Sequence, residues 1–330
     1  MTNFATTCKN IWPGLGIATI TGMAALFLSE HYGAPAMLFA LLLGMAVSFL
    51  YQSDGPCKCG IDFSATTLLR TGVVLLGLRI ALGDLVVLGW QTAAMLAFAI
   101  FSTISLGVLI AKSVGLQKRF GALTGGSVAI CGASAALAIS TILPAGKNHE
   151  RDTLLTVIGV TAMSTIAMVV YPIIAGQLQM SDTEAGIFIG GTIHDVAQVV
   201  GAGYSVSEDA GDMATLTKLV RVAMLVPVVM IMMLVIKRSH VTSDGAIPKL
   251  PLFLVGFVAL MLVNSFVDLP EIVTESGKQV SRFFLVVSIT AIGMKSNLGK
   301  LAEVGILPIV LIVTETLWIA LLILGYLCFI

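Results

Sequence analysis

A histidine and an aspartate stand side by side in an otherwise apolar stretch, AGIFIGGTIHDVAQVVGAGY (185–204), and a glutamine follows. His194 can exchange a proton near neutral pH, and Asp195 can carry a proton or bind a cation. A charge deep in a bilayer is costly and marks pathways and relays, although a buried His–Asp pair between helices would look the same. A second stretch, GALTGGSVAICGASAALAISTI (121–142), carries no charge, holds Cys131, and has five small or polar breaks in its middle: Gly125, Gly126, Ser127, Gly132 and Ser134. Its hydroxyls and backbone N–H groups suit a small anion. The two openings, GGSV and GGTI, are alike.

The double glycines Gly125–Gly126 and Gly190–Gly191 free the backbone and predict that each helix opens there. Opened backbone survives in a membrane only against protein or a water-filled cavity. A half-helix starting at such a point aims its positive end inward, where an anion is favoured. Ser127, Cys131 and Ser134 would share one helical face, as would His194, Gln198 and Gly201, with Thr192 just before. Close helix packing is the plainer use of these small residues. Lys218 and Arg221, three apart in MATLTKLVRVAML, share a face near the start of a segment at 213–236. They could snorkel to the interface, meet Asp195, or hold an anionic substrate. The predicted substrate site is therefore Gly125, Gly126, Ser127, Cys131, Ser134, Gly190, Gly191, Thr192, Gln198, Lys218 and Arg221. His194 and Asp195 are the predicted proton or coupling-ion groups.

The elements that must position these residues follow from composition. Of 330 residues, 18 are Lys or Arg and 18 are Asp or Glu, 11% in all, while 57% are hydrophobic and mean hydropathy is +1.02. An average soluble domain carries roughly 25% charge. A water-soluble enzyme and a disordered chain are both excluded. Zero net charge gives no reason to expect a nucleic-acid partner. The predicted fold class is all-α: a polytopic transmembrane bundle of about 9–11 spans at roughly 20 residues each. Low-charge runs place these at 11–29, 36–51, 63–83, 86–111, 121–142, 153–176, 185–204, 213–236, 250–267, 280–295 and 304–329. The segments 121–142 and 185–204 either cross fully or re-enter.

If all cross and the N-terminus is cytoplasmic, the inner loops collect Lys9, Lys58, Lys112, Lys118, Arg119, Lys237, Arg238, Lys249, Lys295 and Lys300. The outer loops hold Arg79, Lys147, Arg151, Lys278 and Arg282. The bias favours N-inside. No A-x-A-like site follows the first apolar run, so no cleavable signal peptide is expected.

GLRIALGDL (77–85) recurs as GMKSNLGKL (293–301), and the same shift of 216 positions carries Pro35 to Pro251, Met45 to Met261 and Gly89 to Gly305. An odd number of crossings separates the copies, so 35–111 and 251–327 are read as an inverted repeat, a mark of secondary transporters. A generic helix end would also produce G-x4-LG.

Other signals are weak. Cys57 and Cys59 in SDGPCKCG lack further ligands, so no metal is expected. HERDT lacks the second histidine of a zinc-protease helix, and no Walker A sequence is present. Arg70 is an inward-facing partner or a sign of tilt. Glu315, in IVLIVTETLWIA, is deep enough to require protonation or pairing. Asn264 and Asn297 suit interhelical hydrogen bonds.

GGSVAICGASA, GGTIHDVAQVVGAG, ATLTKLVRVAML and AIGMKSNLGKL together resemble the YeiH-type bacterial membrane proteins, a family labelled sulfate exporters. The resemblance spans nearly the whole chain. It implies a multi-pass protein of the bacterial cytoplasmic membrane and, more distantly, an arrangement similar to bile-acid symporters and sodium–proton antiporters, in which interrupted helices cross at the substrate site. CKCG departs from that pattern. The expected function is a secondary transporter of a small anion, sulfate or a related sulfur oxyanion or organosulfonate, coupled to a proton or cation. A channel and an intramembrane enzyme are the alternatives. No catalytic residue and no cofactor are expected. The lipid bilayer is the expected surrounding, and a homo-oligomer is left open.

Overall fold

The computed structural model describes residues 2–32, 35–51, 55–143, 149–238, 251–267, 269–296 and 305–329, all in helices and short connections. The protein is an all-α polytopic bundle. Six helical stretches of the described residues are long and apolar enough to cross a membrane: Ile11–Tyr32, Lys58–Leu76, Gly83–Ser113, His149–Gln177, Glu208–Val235 and Ile306–Leu327. Ala36–Ala46, Val196–Val206 and Leu252–Phe266 are shorter apolar helices. Trp12, Phe27, Trp90, Leu109 and Leu321 are exposed, which lipid permits and water would penalise.

In chain order the helices are α1 (Thr2–Tyr32), α2 (Ala36–Ala46), α3 (Lys58–Phe63), α4 (Leu69–Leu76), α5 (Leu82–Ser113), α6 (Lys118–Ala129), α7 (Ala133–Ser140), α8 (His149–Gln177), α9 (Asp182–Thr192), α10 (Val196–Val206), α11 (Glu208–Ala223), α12 (Leu225–Arg238), α13 (Leu252–Phe266), α14 (Glu271–Lys295) and α15 (Ile306–Leu327). A π-helical turn, Ser64–Leu68, joins α3 to α4, so this span starts at Lys58 rather than at 63 as predicted. Arg70 is exposed on α4, not an inward-facing partner.

The chain forms two compact units. The first holds Met1–Val87, Val200–Asp212 and Pro251–Asn297; the second holds Leu88–Val199, Met213–Leu250 and Leu298–Ile330.

In the first unit α14 packs on α1, α2 and α4, and α13 packs on α4. Ala18, Ile61, Val287, Ala291 and Met294 form one of its buried clusters. Glycines set the closest approaches. A Cβ on Gly293 would lie 2.4 Å from the Leu41 carbonyl oxygen and 3.0 Å from the Met45 nitrogen. A Cβ on Gly77 would lie 2.5 Å from the Phe257 carbonyl oxygen and 3.0 Å from the Met261 nitrogen. The two contacts correspond position for position under the shift of 216. Pro35 and Pro251 start α2 and α13 with nearly equal dihedrals, φ −58°, ψ 127° and φ −59°, ψ 129°. The remaining matches at Leu298, Gly299 and Leu301, with Asn297, lie outside the described residues.

Two ion clusters occupy this unit. Asp62 receives Lys58 at 3.0 Å, Lys295 at 2.7 Å and the Tyr51 hydroxyl at 3.0 Å. Arg79 meets Asp212, which also accepts from Tyr204, and Glu208 at 2.9 Å.

In the second unit α15 packs on α6, α8 and α9, and α7 packs on α6 and α8. Gly89 breaks α5 at φ 74°, ψ 154°, and Gly305 precedes α15 at φ 87°, ψ 159°. Both positions need positive φ, which only glycine adopts without strain.

Substituting Gly77 or Gly293 with Ala should force helix backbones apart and cost about 1–3 kcal/mol, as overpacking does. Each variant should unfold at a lower temperature in detergent. Gly16→Ala and Gly325→Ala, where nothing lies within 4 Å of the added atom, should unfold no earlier than the parent protein.

Candidate functional site

The second unit contains two interrupted helices, and their interruptions meet. The first lies between α6 and α7, at Ile130 (φ −110°, ψ −81°) and Gly132 (φ 63°, ψ −127°). The second lies between α9 and α10, where Ile193 turns to φ −62°, ψ 141°. A Cβ on Gly132 would sit 3.5 Å from the Cβ of His194.

The double glycines are not the breaks. Gly125, Gly126, Gly190 and Gly191 all lie within helices and are buried. Their role is close packing: a Cβ on Gly125 would lie 2.9 Å from the Thr103 oxygen, and one on Gly190 2.3 Å from the Ala214 oxygen. Helix hydrogen bonds persist through them because neighbouring backbone fills the space a side chain would need. Their N–H groups are thus not opened toward a ligand as the sequence suggested. Nor do Ser127, Cys131 and Ser134 share a face, because the chain leaves the helix between Ile130 and Gly132.

Each break leaves the last carbonyls of a half-helix without partners along the chain. Two cations satisfy them. Lys218 Nζ donates to Ile130 O at 2.7 Å and Ile193 O at 2.8 Å. Arg221 Nε and Nη2 donate to Ala129 O at 2.9 and 2.6 Å, Nη2 to Val128 O at 2.9 Å, and Nη1 to Gly190 O at 3.1 Å and Ile193 O at 3.2 Å. Both side chains are fully buried, at 0% exposure. Both half-helices end in partial negative charge, which favours a cation there. Lys218 and Arg221 do not snorkel, because the span containing them runs from Glu208 to Val235 and places them at its middle. All five Arg221 N–H groups are spent on carbonyls, so this side chain has none left for an anion. Lys218 keeps one of its three.

The half-helices that follow begin differently. Asp195 caps α10: its Oδ1 accepts from Ala197 N at 2.8 Å, while its own N–H reaches Ser164 Oγ at 3.1 Å. α7 begins on Gly132, which has no side chain to cap it. Ser134 is exposed in its first turn, and Cys131 is buried. Ser127 and Thr192 donate their hydroxyls to Leu123 O and Phe188 O at 2.5 Å each, inside their own helices.

His194 is fully buried between Thr192 O, 3.2 Å from Nδ1, and the Thr316 hydroxyl, 3.0 Å from Nε2. Gln198 Nε2 donates to Thr165 at 2.8 Å, while its Oε1 is buried without a hydrogen-bond partner among the described residues. Sequence reasoning did not find Thr316, Ser164 or Thr165: threonines and serines on apolar helices look alike until their partners are known.

α9 starts on a capping box. Ser181 N donates to Glu184 Oε2 at 2.8 Å, and Glu184 N donates to Ser181 Oγ at 3.3 Å. The Ser181 side chain holds the Glu184 carboxyl below the usual carboxylate range.

The first unit has a cavity of about 590 Å³ lined by Ser29, Arg79, Tyr204, Glu275, Lys278 and Arg282, among others. Its cations are largely answered by carboxylates, since Arg79 and Arg282 both reach Glu208. No group of three or more His, Cys, Asp or Glu that could hold a metal occurs among the described residues.

The family model described as "Conserved hypothetical protein 698" matches residues 13–312. The chain belongs to this family. A UPF0324 membrane protein of Chlorobaculum tepidum is 50% identical over 317 residues, covering 95% of this chain and 88% of the relative. The UPF0324 membrane protein TauZ of Paracoccus pantotrophus is 48% identical over 315 residues, 94% of this chain and 93% of the relative. A UPF0324 membrane protein of Rhizobium meliloti is 49% identical over 318 residues, 95% and 91% of the two chains. No solved structure matches. These relatives agree with the resemblance carried by the motifs, and the protein is a multi-pass membrane protein.

Arg221→Met should orphan the three buried carbonyls of Val128, Ala129 and Gly190 and cost at least about 3 kcal/mol, since each unsatisfied buried group costs roughly 1–3 kcal/mol. Arg221→Lys retains the charge without the fork and should fall between. The order of unfolding temperatures, parent above Arg221→Lys above Arg221→Met, checks the assignment.

Proposed function

We propose that the protein is a secondary transporter of a small anion, coupled to a proton or cation gradient and working by alternating access. The observation that carries this reading is the meeting of two interrupted helices at Gly132 and His194. Paired half-helices in a bilayer provide polar backbone where lipid offers none, and carriers use such points for substrates and ions. The resemblance to the sulfate-exporter family supports sulfate, a related sulfur oxyanion or an organosulfonate as the substrate class.

The uncapped start of α7 is the proposed anion site. Its first N–H groups, with the exposed Ser134 hydroxyl in its first turn and Lys218 bonded to Ile130 O just before the break, supply donors and positive potential. α10 does not serve in the same way, because Asp195 already occupies its N-terminus. Asp195 and His194 are the proposed coupling groups. The inner membrane of a bacterium, with the N-terminus cytoplasmic, is the proposed location, supported by the charge bias of the loops.

Alternating access is attributed to two inverted halves, 35–111 and 251–327. The reciprocal contacts of Gly77 and Gly293 and the matching dihedrals of Gly89 and Gly305 support that reading. A carrier is preferred to a channel because His194, Lys218 and Arg221 plug the meeting point of the breaks with buried side chains.

Purified protein in proteoliposomes should take up radiolabelled sulfate or an organosulfonate saturably when a pH or sodium gradient is imposed. Asp195→Asn preserves the helix cap, since Asn caps as well as Asp. It should keep the protein folded and abolish gradient-driven uptake. Undiminished uptake in that variant would overturn the coupling role.

A further inference from the structure

Glu315 lies at mid-span in α15 and is fully buried, at 0% exposure. Its Oε1 receives the Thr124 hydroxyl of α6 at 2.8 Å, and its Oε2 has no hydrogen-bond partner among the described residues. Two glycines make room for it. A Cβ on Gly107 of α5 would come within 2.2 Å of Oε1, and one on Gly125 of α6 within 3.4 Å. A bulkier residue at Gly107 would displace the carboxyl, so α5, α6 and α15 together form a closed socket around it.

Among the described residues, the socket contains no counter-charge. The charge-bearing side chains of α5, and of α6, α8 and α9, which pack on α15, cluster at helix ends: Asp84 and Lys112 on α5, Lys118 and Arg119 on α6, His149, Glu150, Arg151 and Asp152 on α8, and Asp182 and Glu184 on α9; the phenol of Tyr171 on α8 lies against Phe188. Arg119 pairs with Asp152 at 3.9 Å. His194 reaches α15 at Thr316, the residue next to Glu315, but bonds to that hydroxyl. An ionised carboxylate without a counter-charge or full hydrogen bonding is among the costliest groups to bury. The neutral acid removes that cost.

The hydroxyl of Thr124 is arranged for both states of the carboxyl. It lies 3.2 Å from Phe120 O and 3.3 Å from Gly121 O as well as 2.8 Å from Glu315. With the carboxyl ionised, Thr124 donates to Oε1. With a proton on Oε1, the acid donates to Thr124 Oγ1, and the threonine hydrogen turns to a backbone carbonyl. Thr316 offers His194 the same choice, because its hydroxyl also reaches Ile312 O at 2.7 Å.

We propose that Glu315 is a proton-binding site of the transporter, occupied in this conformation and exchanging with water during the transport cycle. The carboxylate takes one proton from solution, an O–H bond forms on the carboxyl, and its negative charge disappears. The same proton returns to solution when the socket opens. This deepens the transporter reading and rests on it for the role of the proton, although the site can be detected without transport.

Infrared difference spectroscopy on the purified protein at neutral pH reads the site directly. The carbonyl stretch of one protonated carboxyl should be present, should shift when water is replaced by D2O, and should be lost in Glu315→Gln, which keeps the shape and the bond from Thr124. Thr124→Val should retain the band but move it toward the frequency of a carboxyl free of hydrogen bonds. Parent and Glu315→Gln spectra that coincide in this region would overturn the proposal, and so would a band that never shifts in D2O. If the band behaves as expected while proteoliposomes take up no anion, the proton site stands and the transport reading fails.

Discussion

Seven hydrogen bonds from two cations to backbone carbonyls hold the interrupted helices of the second unit together. Helix interruptions inside a bilayer expose carbonyls that lipid cannot satisfy. Lys218 and Arg221 satisfy them, and the converging partial charges of α6 and α9 in turn compensate two cations that would otherwise be prohibitively placed. Neither partner would be tolerable alone. The breaks at Ile130–Gly132 and Ile193–Asp195 can therefore persist, and with them the uncapped start of α7 and the buried position of His194.

Much of the bundle was legible in the sequence because lipid makes simple demands. Low charge and long apolar runs located the spans, and the interruptions were placed in the correct two segments. Their exact positions were not. Gly125–Gly126 and Gly190–Gly191 look like breaks because glycine is a poor helix former, yet inside a membrane a glycine pair is equally a place for another backbone to approach. Ile104 and Ala214 take that space, so the helices continue for several residues before they end. Gly132, which takes positive φ, was one of several candidates in its segment and had no local feature to single it out.

The cations illustrate a second kind of limit. Their spacing on one face was read correctly, but their partners are carbonyls, which every residue possesses and no sequence pattern marks. An anion and a carbonyl oxygen ask for the same donors. Glu315 was legible as a deep charge, whereas Thr124, 191 positions away, became its partner only through folding. Gly77 and Gly293, aligned by a short motif, approach backbone at Phe257 and Leu41, positions that are likewise 216 apart.

The two buried cations also bear on how the protein enters its membrane. On an insertion scale, a Lys or Arg at the centre of a helix costs about 2.5–3.5 kcal/mol, so the span from Glu208 to Val235 is a poor candidate to partition by itself. Its carbonyl partners, Val128 to Ile130 and Gly190 to Ile193, all lie earlier in the chain. Synthesis from the N-terminus delivers α6 and α9 first. The order of the sequence thus lets the later span find its acceptors as it arrives, and makes biogenesis a matter of sequence order as well as hydrophobicity.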